Sequence, residues 1–536
     1  MSYDVEMVMM SLVVVLLLLL WNFFVVLLWR PYHLTKFFNG QGIRGPRYAF
    51  MGGSLAEIKN LKKAARETTM DVNSHNITPR VLPHYHKWIP QYGETFLYWF
   101  GLQPRICITD LEMVKQVLSN KFGFFTKENP NPAIVALLGK GLVLTEGADW
   151  ARHRRVLNPA FTMDKLKVMT KRMGTCTLSM LDSWREGCME IEISQQFQEL
   201  TADIICHTAF GSSYAEGKEV FEAQNELQMM ASASSTDFIF PGSQYWIDLF
   251  TPLHASIIST SCERLMYVIY RYLPTKWNRH KRELERKATS TLRRMVQSRL
   301  DSKDSKYRND LLGLMMESPK NVSGDELCGL ALSIDEIIDE CKTFFAGQET
   351  TSYWLTWTMF LLSSNQDWQE KLREEVLREC GTGIPDADML SKLRLVTLVL
   401  LEALRLYSPV FLMLRNTSKK MKLGNVTIPK DVLVMIPLAI IHRREKYWGA
   451  DANEFNPYRF AEGISKAASH PNALVAFSMG PRSCIGQNFA MLEGKMVLAM
   501  ILQRFSFSLS PQYRHAPADM ITLHPEFGLP IVFRPL

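Results

Sequence analysis

What this sequence lacks narrows it first. Cysteine is scarce: nine residues in 536, an odd number with no paired spacing. That argues against a disulfide framework and for reduced thiols in a body facing the cytosol. An excess of one charge is also missing. Sixty-one Lys and Arg stand against 54 Asp and Glu, a net charge of +7. At this length that is no nucleic-acid footprint, and a nucleic-acid partner is not expected. No flavin or nicotinamide fingerprint appears, no internal repeat, and no low-complexity tract beyond the N-terminus. What is present is 47% hydrophobic residues, enough for a large core.

Met7 to Trp29 is nearly unbroken apolar sequence, interrupted only by Ser11 and Asn22. As a helix it would be about 34 Å long, enough to cross a bilayer. A cleaved signal peptide needs a cationic start and a small-residue cleavage site. This segment starts with Asp4 and Glu6 and runs into Trp29-Arg30-Pro31, so a retained anchor is the better reading. Arg30, Lys36, Arg44 and Arg47 follow it, which puts the body on the cytosolic side. The expected division is an anchor over 1–29, a linker and hinge over 30–48 including Gly42-Ile-Arg-Gly-Pro46, and one catalytic domain over 49–536.

Phe96 to Phe100 and Arg105 to Thr109 alternate across Gly101-Leu-Gln-Pro104 and predict an antiparallel hairpin. Helical periodicity dominates from about Leu111 to Tyr407. Breaks fall at 129–132, 241–242 and 302–304. Asn278 to Leu300 reads as a solvated basic helix, and Ser333 to Asn365 as one long helix. Strand signals return at Val432 to Ile436, Ile521 to Leu523 and Ile531 to Phe533. The expected fold class is mainly α with a smaller β-rich lobe, preceded by one transmembrane helix.

Phe477-Ser-Met-Gly480-Pro-Arg482-Ser-Cys484-Ile-Gly486 places one cysteine in a glycine-punctuated loop, two residues after an arginine and just before a helix read from Ile485. A cysteine ligates metal as the thiolate, and a helix N-terminus favours negative charge. A buried structural thiol is the bland alternative. The pattern F-x-x-G-x-R-x-C-x-G resembles the haem-binding signature of the cytochrome P450 family. The resemblance implies the cytochrome P450 fold, haem b (iron protoporphyrin IX) with Cys484 as its metal ligand, Phe477 and Gly486 against the cofactor, and Arg482 on a propionate.

Other segments extend the resemblance. Within the long helix, Ala346-Gly347-Gln-Glu349-Thr350-Thr351 is similar to the family's oxygen-binding stretch. Gly347 costs about 1 kcal/mol against Ala in a helix, and such local rule-breaking is expected where function intrudes. By resemblance, Ala346 and Gly347 leave room for dioxygen, Thr350 holds water beside it, and Glu349 helps relay protons. Glu402-Ala-Leu-Arg405 stands at helical spacing. It matches the family's E-x-x-R helix, which implies a structural triad of Glu402, Arg405 and Arg459. Trp150-Ala-Arg152-His-Arg154 resembles the W-x-x-x-R helix, and Arg415 stands where another propionate ligand is common. Arg152, Arg155, Lys165 and Lys167 are candidates for a positive face toward a redox partner, or simply for a solvated basic face. Two departures stand out: Tyr458 where the family has glutamate, and Ser408 where it has a second proline.

Thr201 to Ile205, Cys341 to Phe345, His442 and Tyr513 to Pro517 resemble a plant microsomal group. That group contains fatty-acid in-chain hydroxylases, cytokinin hydroxylases and steroid-hormone-inactivating hydroxylases. The implied activity is NADPH- and O2-dependent hydroxylation of a C–H bond on a hydrophobic or amphipathic small molecule: a fatty acid, a cytokinin, or another plant hormone or terpenoid. Electrons would come from NADPH through a separate NADPH–cytochrome reductase. The implied location is the endoplasmic reticulum membrane, single-pass, with the catalytic domain in the cytosol. By analogy the substrate walls come from the loop Asn129 to Val143, from Phe344 and Phe345, from Val410 to Met413, and from Glu526 to Leu529. An electron-independent rearranging haem enzyme and a non-catalytic membrane haem protein remain open.

Overall fold

A computed structural model describes residues 2–127, 132–184, 189–236, 275–301, 310–317 and 331–536. The breaks read at 241–242 and 302–304 lie outside these residues, as does the break at 129–132 except for Pro132, which opens the helix Pro132–Leu138. The rest is mainly helical, with a smaller strand-rich part.

The axis of the fold is the helix Ile334–Ser364. Its start is fixed by a capping box: the Glu336 N–H donates to the Ser333 hydroxyl, and the Ser333 N–H donates to the Glu336 carboxylate. Its second half is buried almost all round, and it hides threonines by letting them donate to the preceding turn. Thr356 bonds the Ser352 carbonyl at 2.8 Å and Thr358 the Trp354 carbonyl at 2.7 Å. Two indoles fasten it to its neighbours. Trp354 donates to the Leu400 carbonyl at 2.9 Å and Trp357 to the Leu523 carbonyl at 3.0 Å.

The principal sheet has five strands, in spatial order Thr95–Phe100, Gln103–Ile108, Leu433–Ile436, Met413–Thr417 and Phe125–Thr126. The first two form the expected hairpin, closed by Gly101 at φ 59°. The C-terminal strands Phe505–Leu509 and Pro530–Pro535 pair antiparallel, as do Pro517–Met520 and Thr522–Pro525. Cys107, Cys176, Cys206, Cys341, Cys380 and Cys484 are free thiols.

Two expectations change. The basic helix Lys276–Asp301 is not solvated on every face. Leu284, Ala288, Leu292 and Val296, four residues apart, form a buried stripe packed toward Tyr214–Thr236. At the N-terminus Ser2–Phe24 is helical, but among the described residues no helix is long and apolar enough to cross a membrane. The expected transmembrane helix is therefore not found. The apolar run is divided: a π-helical turn, Val25–Trp29, follows the helix, and there Val26 and Leu27 pack against Leu102 of the body.

Candidate active site

The cysteine loop is closed by its own backbone, with the Cys484 N–H donating to the Phe477 carbonyl at 2.9 Å. Gly480 adopts φ 71°, and a Cβ there would meet Ser119 Cα at 2.6 Å and the Leu118 carbonyl oxygen at 2.7 Å. Glycine is thus required for the loop to lie on the end of the helix Leu111–Leu118. Gly486 has an ordinary φ of −87° and caps the helix Gln487–Leu502, which starts two residues later than read from the sequence. Nothing lies within 4 Å of where its Cβ would be. Cys484 is accessible although it lies deep in the protein. That depth pushes the thiol pKa above its ordinary value, against the Gly486 N–H and the charge of Arg154, which favour the thiolate.

Cations gather around this loop. Arg154, in the helix Gly147–Leu157, donates to the Ser483 carbonyl at 3.0 Å. The Arg482 guanidinium lies 4.4 Å from the centre of the Trp150 ring. It also donates to the Glu146 carboxylate and, at 2.8 Å, to the Thr145 carbonyl. Arg415, buried on its strand, donates to the Leu414 carbonyl at 2.7 Å. Burial, then repulsion from Arg482, lowers its pKa to about 10. The sequence reading missed Lys127 and Glu146, which have no motif spacing. Burial and the charges of Arg415 and Arg482 lower Lys127 to about 7, with Glu146 opposing. A part-buried place where Arg482 repels Arg154, Arg415 and Lys127, with the Glu146 carboxylate beside them, is short of negative charge.

The distal element is the middle of Ile334–Ser364. Gly347 is exposed within this largely buried helix, and a Cβ on it would meet nothing within 4 Å. Ala346 precedes it, half-buried. The Thr350 hydroxyl donates to the Gly347 carbonyl at 2.8 Å, so this side of the helix carries a small hydroxyl beside open space. Glu349 is placed elsewhere. Its carboxylate accepts from Gln228 at 2.5 Å and Thr522 at 2.7 Å, and burial raises its pKa against those two bonds. Of the expected walls, Phe344 stacks on Phe161 at 5.8 Å, whereas Phe345 is fully buried against Phe210 and Phe221.

Glu402, Arg405 and Arg459 meet. Arg405 donates to both Glu402 oxygens at 2.7 Å, and Arg459 Nε to Oε1 at 3.3 Å. Both departures have local answers. Ser408 donates to the Val410 carbonyl at 2.9 Å, so a side-chain bond fixes that bend. Tyr458 is exposed and its ring lies 4.7 Å from Trp368. Two of the basic-face candidates are engaged: Arg152 binds Glu336 and the Ala331 carbonyl, and Lys167 binds Asp388.

A family model described as Cytochrome P450 matches residues 75–530. Cytochrome P450 709B1 of Arabidopsis thaliana is 48% identical over 549 residues, covering 100% of both chains. Cytochrome P450 734A6 of Oryza sativa subsp. japonica is 40% identical over 95% of this chain and 93% of its own. The cytokinin hydroxylase of Arabidopsis thaliana is 38% identical over 94% and 93%. Haem, the cofactor such a family implies, fits the residues present: a soft ligand atom at Cys484, cations for two propionates, and open space beside Gly486 and Gly347.

Proposed function

This chain belongs to the cytochrome P450 family of monooxygenases, and from that membership we propose that it hydroxylates a C–H bond of a hydrophobic or amphipathic small molecule, with NADPH electrons delivered by a separate reductase. One observation carries the reading: an accessible Cys484 thiol in a loop bracketed by Arg154 and Arg482. Bound haem supplies the activation of dioxygen. The chain does the rest. Cys484 would hold the iron, and Arg482, Arg154, Trp150, Arg415 and Lys127 would cradle the propionates. Phe477 and Gly486 would lie against the cofactor, and Ala346 and Gly347 would leave room for dioxygen. Thr350 holds a proton at Oγ1 on the open side of its helix. Glu402, Arg405 and Arg459 stay out of the chemistry and hold the scaffold.

The catalytic domain spans 49–536, with 30–48 as its hinge. We place residues 1–29 against the endoplasmic reticulum bilayer and the body in the cytosol. The support is the exposed apolar side chains of the first helix, among them Met7, Met10, Val13, Leu17 and Trp21, and the cations that follow. Deleting 1–29 should release the protein from membranes; unchanged sedimentation with membranes would refute the placement.

The test of the reaction is turnover of a medium-chain fatty acid, an adenine-type cytokinin and a steroid hormone, with and without NADPH and reductase. Product that forms only with both supports hydroxylation. Product that forms equally without them points to an electron-independent rearrangement instead.

A further inference from the structure

A thiol, a carboxylate and an imidazole meet away from the cysteine loop. Cys176 stands on the helix Met163–Asp182, Asp203 on the helix Ile193–Ile205, and His207 on the π-helical turn Cys206–Phe210 that continues it. One ligand atom from each lies within 4.8 Å of the other two. His207 Nε2 is 3.4 Å from Asp203 Oδ1. Ligand atoms set tetrahedrally at zinc bond lengths stand about 3.3–3.5 Å apart, so the widest pair here has at most about 1.5 Å to close. Asp203 and His207 are half-buried and open the group to solvent, while Cys176 is buried. Single π-helical turns occur frequently at functional sites. This one is held to the neighbouring helix by Arg172, one turn before Cys176, which donates to the His207 carbonyl.

A third helix adds negative charge. Glu493, on Gln487–Leu502, is buried, and its Oε1 has no hydrogen-bond partner. Its charge reaches Cys176: burial, then Asp203, then Glu493 push the thiol pKa up. Two carboxylates therefore bear on one thiol from two different helices. A buried carboxylate without a partner is costly unless a cation compensates it. A divalent cation would do so, taking the sulfur as thiolate and releasing the thiol proton to solvent.

We propose that Cys176, Asp203 and His207 form a binding site for a zinc-class divalent cation, with water in the fourth position. Thiolate and imidazole select zinc over magnesium and calcium, which take oxygen ligands. The bound ion would cross-link the helices Met163–Asp182 and Ile193–Ile205. The first of these packs on Gln487–Leu502, the helix that follows Cys484; a Cβ on Gly174 would meet Met496 Cε at 3.5 Å. The site thus braces the support of the cysteine loop without taking part in the reaction, and it stands whether or not the chain is a hydroxylase.

The test uses the full-length holoenzyme, cleared of loose metal by chelator dialysis and titrated with zinc chloride against a fluorescent zinc indicator. Wild type is compared with Cys176→Ser and His207→Gln, their folding checked by circular dichroism. Loss of an outer partner of a metal site costs about 10–100-fold in affinity, so loss of a ligand should weaken zinc binding at least about tenfold in each variant. Calcium and magnesium at the same concentration should not displace the zinc. In the wild type, zinc should slow alkylation of Cys176, read by peptide mass spectrometry, at least about tenfold, and leave that of Cys380 within about twofold. Unchanged zinc affinity in either variant would overturn the site, and so would displacement by calcium or magnesium. Cys176 alkylation that zinc does not slow would overturn it too; that measurement needs no variant, so it decides even if Cys176→Ser fails to fold.

Discussion

Removing the Glu402 carboxylate should be among the most damaging single changes available to this fold. Glu402 and Arg405 are both fully buried. The Arg405 guanidinium makes five bonds: two to Glu402, and one each to the carbonyls of His442 at 2.9 Å, Ala452 at 2.5 Å and Glu454 at 3.0 Å. Glu402 Oε1 also accepts the Asn456 N–H at 3.0 Å and Arg459 Nε at 3.3 Å. In Glu402→Ala the guanidinium stays in the core with carbonyls alone, and two more donors lose their acceptor. Breaking one side of a buried pair in this way costs about 3–5 kcal/mol. That is a large fraction of the total stability of a typical protein, about 5–15 kcal/mol. The exposed pair Glu462–Lys466, at 3.7 Å, is the control. Glu462→Ala should cost less than about 0.5 kcal/mol. Urea unfolding of the holoproteins, followed by circular dichroism and by the haem absorbance, measures both. A loss below about 1 kcal/mol in Glu402→Ala would refute the claim that the triad bears the scaffold.

Further outcomes follow from single sites. Gly347→Ala meets no protein atom and gains about 1 kcal/mol of helix propensity; melting should hold or rise while turnover falls, and unchanged turnover would show that the open side is not used. His442 is fully buried, its Nε2 accepts the Val475 N–H at 3.1 Å, and burial lowers its pKa from 6.5 to about 3. The folded protein therefore keeps this ring neutral while the unfolded chain protonates it below 6.5. The stability this gives is present above that value and declines as pH falls, by roughly 2 kcal/mol at pH 5. His442→Gln should flatten that slope in denaturation measured from pH 7 to 5. Arg482→Ala loses its contacts with Trp150, Glu146 and Thr145; haem dissociation, followed by transfer to an acceptor protein, should accelerate at least about tenfold if a charge-assisted bond of this class is lost.

Much of this was legible because the determinants are local. The long helix announces itself through Ser333 and Glu336, three residues apart, and the cysteine loop through one compact pattern. Glu402 and Arg405 are neighbours on one turn. What the sequence hides depends on distant chain meeting in space. Glu349 was read from its neighbour Thr350, yet its partners are 121 and 173 residues away. Lys127 and Glu146 have no spacing that marks them, and only the fold brings them to Arg415 and Arg482. The helix Lys276–Asp301 looked solvated because charges outnumber its four-residue apolar stripe. The N-terminal run looked membrane-spanning because composition does not reveal that Val26 and Leu27 dock on the body.

The most direct measurement is the reduced, carbon-monoxide difference spectrum of purified protein beside Cys484→Ser. The account predicts a far red-shifted Soret band in the wild type, lost in the variant together with product formation. A variant that keeps both the band and the turnover would contradict it.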